Sequence, residues 1–584
     1  MQSHDFVIRF AGDGGQGVVT SADAFARSAA QVGYHVQTFS TFPSQILGGP
    51  TMSQVRIATA PVMSSGDQAD ILVAFNKEAY ENHSPDLRPG GVIIYNAESF
   101  DLPAGGPYFG IKVDELAKST GNARAANMVV IGAVANQISM KLEYLEAFVK
   151  QRFTRGRPGD AEIIESNIKA IGLGEAAARA SGFHVGELAP PDRPDYKQVM
   201  LTGNTAIAMG ATAAGLDFYI GYPISPATTI LVWMEQYLVG KDKFAYQVSS
   251  EIEAMSGIIG AGFAGKKAMT ATAGPGLSLM SEGLGLAWMA EIPCVVVDVQ
   301  RGGPATGLPT KTEQSDLLAC MHPAHGDVSL PVIAPGSVEE CFYAGAKAVN
   351  WAERYQGPVI IISEFQQAER TQNIPKPDLS KVQVENRHAY RPQNGTDGFK
   401  RYQDWTSGNQ MPPMPVPGGP GSYVANGSEH DEIGDTTHLA RHHTRLTHRR
   451  FGKLSLLSDE AYEIEHEQSP VVIMPWGATK GVAYEAFLAL RKRGLNIGWA
   501  YTMVLNPLPT KLHEFLKQKE LVIVPELNYQ GQWSGLLRWR HVRAESITQY
   551  TGMPFKTGEL TERIAAMAKT HQSARKPQEA GAHR

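Results

Sequence analysis

Arg301 closes an apolar run and opens an irregular one, in PCVVVDVQRGGPATGLPTKTEQSDL. An arginine leaving a strand into such a loop suits bidentate capture of a carboxylate, although the same side chain could tie down its own loop. Glu251 and Glu253 open the small, apolar stretch VSSEIEAMSGIIGAGFAG, residues 248–265. First-turn acids complement a helix dipole; a carboxylate facing a buried ligand nitrogen is the sharper alternative. GYPISPATTI, residues 221–230, leaves a strand through Pro223 and Pro226 and offers Ser225, Thr228 and Thr229 near a helix N-terminus. That is a place to hold a carboxylate, or an ordinary Pro-Ser cap. TATAGPGLSLM, residues 270–280, runs into a Gly-Pro-Gly turn, either a simple tight turn or a backbone that approaches a cofactor closely. At the start, AGDGGQGVVT sets Gly12, Gly14 and Gly17 in a G-x-G-x-x-G spacing around Gly15. Its N–H groups suit an anion such as a coenzyme phosphate, or the loop is a structural turn. A dinucleotide site also needs an acid about 20 residues on, and HVQTFSTF, residues 35–42, has none.

Positioning such residues takes alternating strands and helices. DFVIRF, HVQTFS, MSQVRIA, DILVAF and GVIIYN predict a mainly parallel α/β block over 1–187, with helices near 123–139 and 159–181. The proline-rich 187–197 leads to a second α/β block at 198–368, built on DFYIGYP, FAYQVSS, KAMTATA, PCVVVDVQ and GPVIIISEF. Residues 369–465 lose the rhythm and predict an irregular linker. Its histidines, His430, His438, His442, His443 and His448, suit a surface or inter-subunit contact better than a metal, because no compact ligand spacing accompanies them. A third α/β block follows at 466–570, and 571–584 has the composition of a disordered tail.

The chain has 584 residues, too many for one core, and a net charge of −5 without a basic block, which argues against nucleic acid and anionic membranes. The apolar runs are of strand length, and the N-terminus lacks a cationic and apolar leader, so a cytoplasmic location is expected. Cys294, Cys320 and Cys341 are too scattered for a zinc or iron–sulfur site and read as small buried hydrophobes.

Together YPISPATT, the Glu-led helix, TATAGPG and RGGPATGLPTKTEQSDL resemble the pyrimidine-side domain of 2-oxoacid:ferredoxin oxidoreductases, which are thiamine diphosphate enzymes. GDGGQG is similar to that family's gamma module, and VPELNYQGQ, residues 524–532, to its transketolase C-terminal-like domain. The resemblance implies a fused gamma–alpha subunit of multidomain α/β fold. It implies that Glu251 hydrogen-bonds the aminopyrimidine ring nitrogen of the cofactor, with Glu253 as rival and Pro223 and Ile224 as further cofactor contacts. Arg301 would receive the substrate carboxylate, Thr310 would line the pocket, and Ser225 would offer a hydroxyl where the family commonly has Thr. Gly12, Gly14, Gly15 and Gly17 would belong to a loop contacting coenzyme A; Leu47 stands where the family often has Arg before Gly-Gly.

The family's Mg²⁺-diphosphate motif, a G-D-G with a downstream Asn, is missing: the chain's G-D-G at 12–14 is followed by VQTFSTFPSQ, without Asn. The resemblance therefore places Mg²⁺, the diphosphate and a [4Fe–4S] cluster on a beta subunit, within an (alpha–beta)2 heterotetramer, and no metal on this chain. The implied reaction is oxidative decarboxylation of a 2-oxoacid to an acyl-CoA with electrons passing to ferredoxin. GLPTKTEQSDL and the fusion favour 2-oxoglutarate and succinyl-CoA over pyruvate or branched-chain 2-oxoacids. A non-catalytic scaffold subunit is the alternative from another class; a self-contained decarboxylase or transketolase is disfavoured by the missing diphosphate motif.

Overall fold

The apolar runs that end in glycine or polar turns fold as strands of three large sheets in a computed structural model describing residues 2–43, 48–192, 196–392, 399–404, 411–458 and 461–581. The chain divides into two compact units, Met1–Leu201 with Arg370–Lys376, and Thr202–Glu369 with Pro377–Arg584.

The first unit is built on an eight-stranded sheet with Asp5–Asp13 inside it. This strand runs parallel to Ala69–Ala74 but antiparallel to Pro50–Ala58, which is in turn antiparallel to His35–Thr41. The sheet is thus mixed rather than mainly parallel. The reason lies in the connection 42–49, too short for the crossover of about a dozen residues that parallel neighbours require. The strand Thr371–Pro375 pairs antiparallel with His35–Thr41. It comes from the stretch expected to be linker.

The second unit carries a seven-stranded sheet in the order Phe244–Gln247, Phe218–Gly221, Ala268–Thr272, Cys294–Gln300, Pro358–Glu364, Val332–Ile333, Val504–Asn506. All its pairings are parallel except that between the last two. Cys294–Gln300 and Pro358–Glu364 are buried at every position, which is why their sequences are continuously apolar instead of alternating. The last strand is unexpected, because it comes from the third sequence block. That block otherwise forms a five-stranded sheet of Gly498–Tyr501, Val471–Ile473, Leu521–Glu526 and Ala544–Thr548 together with Glu463–Glu465, which comes from the stretch expected to be linker. Cys294, Cys320 and Cys341 are buried free thiols. No described helix is long and apolar enough to cross a membrane.

Two further stretches differ from their sequence-based description. The helix Thr557–Gly581 continues into the expected tail, where Ala, Arg, Lys, Gln and Glu are good helix formers. Within 369–465 lies the helix Ala440–Gly452, whose polarity hides a burial role. Its Arg449 is fully buried and grips Glu291 through Nε at 3.0 Å and Nη2 at 3.1 Å. Lys453 Nζ lies 3.3 Å from the same carboxylate, and Arg401 Nη2 donates to the Glu291 carbonyl at 3.0 Å. Burial would raise the Glu291 pKa, but these cations outweigh it and hold the group well below the carboxylate range.

Removing one partner of such a buried cluster strands the rest. Glu291→Gln should therefore destabilise the second unit by about 3–5 kcal/mol, whereas cutting the exposed Arg27–Asp23 pair should cost under about 1 kcal/mol. Chemical denaturation of the two variants beside wild type checks the contrast. Because the Glu291 pKa is depressed on folding, its contribution persists above the unfolded-state value near 4 and fades only as pH falls toward the lower folded value.

Candidate active site

Parallel strands deliver their C-termini to one edge, and in open α/β sheets that edge is where ligands sit. Four neighbours here, ending at Gln247, Gly221, Thr272 and Gln300, feed the segments that contain Glu251, Ser225, the 273–276 turn and Arg301. Motifs scattered over some eighty positions of sequence thus meet because their strands are adjacent.

Arg301 is only 7 % exposed. Its Nη1 donates to the Ser225 carbonyl at 2.7 Å, while its Nε is buried without a hydrogen-bond partner. Burial lowers the guanidinium pKa, and the negative charges of Asp316 and Glu251 push it back up. Ser225 itself is exposed, with Pro223 and Ile224 half-buried before it and a cis bond to Pro226 after it. The turn is held by Asn204, whose Nδ2 donates to the Pro226 carbonyl at 2.9 Å and to Thr229 Oγ1 at 2.7 Å.

The two acids of the Glu-led helix part company. Glu253 is exposed and its Oε2 accepts from the Ser249 N–H at 2.9 Å and the Ser249 hydroxyl at 2.7 Å. Its own N–H donates to Ser250 Oγ at 3.2 Å, which caps the helix, and the Ser249 bonds lower its pKa. Glu251 is 7 % exposed, and no described residue donates a hydrogen bond to its carboxylate. It lies against Gly276, where a Cβ would come within 2.7 Å of Glu251 Cγ and 2.0 Å of Thr272 Oγ1. The second glycine of the Gly-Pro-Gly turn is therefore required by space, and Pro275 starts the following helix, Gly274–Met289.

Sequence reasoning missed an acid pair and a latch. Asp298 is fully buried inside its apolar strand, and burial followed by the Asp316 charge drives its pKa well up. Asp316 is pushed up to about 6 by burial and by Glu313, with Arg301 pulling it down, and its Oδ2 has no partner. An aspartate in the middle of CVVVDVQ was the available signal. The loop 301–316 is pinned to the third block by amides. Gln314 exchanges bonds with Leu527, N–H to carbonyl at 2.7 Å and Leu527 N–H to Oε1 at 3.0 Å, and Asn528 Nδ2 donates to the Gln314 carbonyl at 2.9 Å. Gln532 Nε2 reaches the Ser315 carbonyl at 2.6 Å. VPELNYQGQ is thus the clamp on the arginine loop. Within that loop Thr310 is half-buried.

In the first unit, Gly14, Gly15 and Gly17 form the turn between Asp5–Asp13 and the helix Val18–Gln31, whereas Gly12, expected in the same loop, lies within the strand and pairs with Thr51. Gly17 has φ 83° and a Cβ there would lie 2.2 Å from Asn127 Oδ1. The turn spends some of its amides internally, Asp13 N–H on Gln16 Oε1 at 2.7 Å and Gly14 N–H on the Gly49 carbonyl at 3.0 Å. Gly14 and Gly15 face solvent. Leu47 lies outside the described residues. Of the histidines, His430 is buried and bonded to the Ser428 carbonyl at 2.9 Å, and His443 meets Glu429 at 2.6 Å. Among the described residues no group of three or more His, Cys, Asp or Glu side chains is placed to hold a metal ion.

Comparison with known proteins identifies the family. Residues 209–448 match the family described as pyruvate flavodoxin/ferredoxin oxidoreductase, thiamine diphosphate-binding, and residues 7–177 match pyruvate ferredoxin/flavodoxin oxidoreductase. A 2-oxoglutarate oxidoreductase subunit KorA of Mycobacterium tuberculosis is 32% identical, with 96% of this chain and 91% of the relative covered. The alpha subunit of a 2-oxoacid:ferredoxin oxidoreductase of Aeropyrum pernix is 28% identical over 97% of this chain and 98% of its own. The solved 2-oxoglutarate:ferredoxin oxidoreductase from Magnetococcus marinus, with 2-oxoglutarate, coenzyme A and succinyl-CoA bound, superposes with a TM-score of 0.90 at 36% identity, covering 97% of this chain and 100% of that one. The chain belongs to the family of 2-oxoacid:ferredoxin oxidoreductase alpha subunits.

Proposed function

We propose that this chain is the gamma–alpha subunit of a thiamine-diphosphate-dependent 2-oxoglutarate:ferredoxin oxidoreductase, converting 2-oxoglutarate and coenzyme A to succinyl-CoA and carbon dioxide. Blocks 1–187, 198–368 and 466–570 take the gamma-type, pyrimidine-side and transketolase C-terminal-like roles. A beta subunit supplies the Mg²⁺-diphosphate site and a [4Fe–4S] cluster that passes two electrons, one at a time, to ferredoxin, in an (alpha–beta)2 assembly. The names of the Mycobacterium and Magnetococcus relatives support 2-oxoglutarate as substrate.

The observation that carries this reading is the pairing, at one sheet edge, of a buried carboxylate without a donor and a buried guanidinium with an unused Nε. An aminopyrimidine fits the first, because its ring nitrogen needs a carboxyl proton and no described residue donates to the Glu251 carboxylate. A 2-oxoacid carboxylate fits the second. Thiamine diphosphate, when bound, supplies the nucleophilic carbon and the electron sink that decarboxylation needs. Glu251 holds the proton at the ring nitrogen, Pro223 and Ile224 flank the ring, and Arg301 receives the substrate carboxylate. Capture by Arg301 fixes the keto carbon in one orientation, converting binding into alignment. The Ser225 hydroxyl donates to the substrate and Thr310 walls the pocket. The exposed Gly14–Gly15 edge of the first unit is assigned to the coenzyme A phosphates.

The test is 2-oxoacid- and coenzyme-A-dependent reduction of a low-potential dye by the chain alone and co-expressed with its beta subunit. Activity in the pair alone, highest with 2-oxoglutarate, supports the assignment; activity of the isolated chain contradicts the split site. In the active pair, Glu251→Gln keeps the volume but not the carboxyl group and should lower kcat by about 10²–10⁴-fold. Glu253→Gln should leave kcat within about 3-fold, because it loses only exposed helix-start hydrogen bonds to Ser249. Arg301→Ala should reduce kcat/KM by at least about 10²-fold, with Arg301→Lys restoring part of it, since an ammonium keeps the charge but not the fork. Steady-state kinetics with varied 2-oxoglutarate separates the three.

A further inference from the structure

We infer that Lys311 binds the distal carboxylate of a dicarboxylic 2-oxoacid and thereby selects it over monocarboxylic ones, an inference that rests on the assignment of Arg301 to the substrate's first carboxylate. Lys311 belongs to the same loop as Arg301. The Gly302 N–H donates to the Lys311 carbonyl at 3.2 Å, and the Lys311 N–H to the Leu308 carbonyl at 3.1 Å. The loop therefore closes on itself, and the residue after Arg301 is the backbone neighbour of Lys311. Thr310, the pocket-lining residue, precedes it directly.

The side chain is half-buried and its stem is fixed, for Gly552 leaves so little room that a Cβ there would come within 2.9 Å of Lys311 Cβ. Its ammonium group nevertheless makes no hydrogen bond or ion pair with any described residue. Five other sheltered lysines find oxygen partners, while the half-buried Lys266 has only the Phe218 ring. Lys243 reaches Asp217, Lys267 the Ala214 carbonyl, Lys453 Glu291, Lys480 Glu340, and Lys519 the Glu467 carbonyl. Burial lowers the Lys311 pKa, with no acid offsetting it. Next to it, Thr312 is buried with its Oγ1 unpartnered.

One loop thus leaves Arg301 Nε, Thr312 Oγ1, Ser315 Oγ and Asp316 Oδ2 buried without protein partners, against the general rule that buried polar groups are satisfied, and the half-buried Lys311 Nζ also lacks one. A ligand with an anionic group at each end matches the two cations, whereas a monocarboxylic 2-oxoacid satisfies Arg301 and leaves the lysine as it is. A compact ammonium, free to rotate its three donors, suits a terminal carboxylate that must be held but not aligned.

The test uses the active complex with the beta subunit, comparing wild type, Lys311→Met and Lys311→Arg on 2-oxoglutarate and on 2-oxobutyrate. Lys311→Met should lower kcat/KM for 2-oxoglutarate by about 10- to 100-fold, mostly through KM, and leave 2-oxobutyrate within about 3-fold. Lys311→Arg should recover most of the loss. Equal losses on both substrates would mean a structural lysine, and no change on either would mean a bystander; each overturns the inference. A wild type that turns over 2-oxobutyrate and refuses 2-oxoglutarate removes the role of Lys311 while sparing that of Arg301. A wild type inactive on every 2-oxoacid brings down the assignment of the whole site.

Discussion

Parallel pairing is the constraint on which the site depends. A parallel sheet forces every strand to end on the same side, so each chain reversal must be made by a helix returning across a face. Four neighbouring strands ending at Gln247, Gly221, Thr272 and Gln300 leave their next residues at one edge. The helix starting at Glu251 and the turn before Pro275 exist in order to make those returns. Chemistry is then a matter of what side chains the return segments carry.

The edge carries opposite charges at unequal cost. Arg301 and Glu251 are each almost out of solvent, and neither is neutralised by a direct ion pair of its own. Elsewhere the protein treats buried charge differently: Glu291 is surrounded by Arg449, Lys453 and Arg401, and Glu526 is saturated by the N–H groups of Trp533 and Ser534 at 2.7 and 3.0 Å and by Asn528. The difference separates charges that stabilise the fold from charges held ready for something else. Rigid support comes from neutral groups: amides of Gln314, Asn528 and Gln532 fasten the arginine loop without adding a charge that would compete for its ligand.

The sequence made the alternation of strands and helices plain wherever runs were long and apolar, and it isolated Ser225, Glu251 and Arg301, because proline-rich and glycine-rich exits from such runs are conspicuous. The family resemblance put Glu251 ahead of Glu253, but the local residues alone do not separate them. Two positions apart in a first turn, they differ only in direction, and direction decides that one meets Gly276 while the other bonds Ser249. Antiparallel pairing in the first unit was hidden, since His35–Thr41 and Pro50–Ala58 are apolar enough to suit either sense and only the brevity of 42–49 betrays it. The polar helix Ala440–Gly452 misled for a different reason: a buried arginine looks like a surface arginine until its carboxylate, distant in sequence, is located.

The strand Val504–Asn506 has a consequence for how this protein comes into being. It completes the seven-stranded sheet by pairing with Val332–Ile333, and Asn506 Nδ2 fastens the join to the Leu330 carbonyl at 2.7 Å. During synthesis the sheet that carries the site must wait, with an unpaired edge, until the ribosome has added well over a hundred further residues. An open edge is an invitation to pair wrongly, and such long-range closure slows folding. The second and third blocks are therefore inherited as one object. A gene split between them would leave one product with an incomplete sheet and the other with a stray strand.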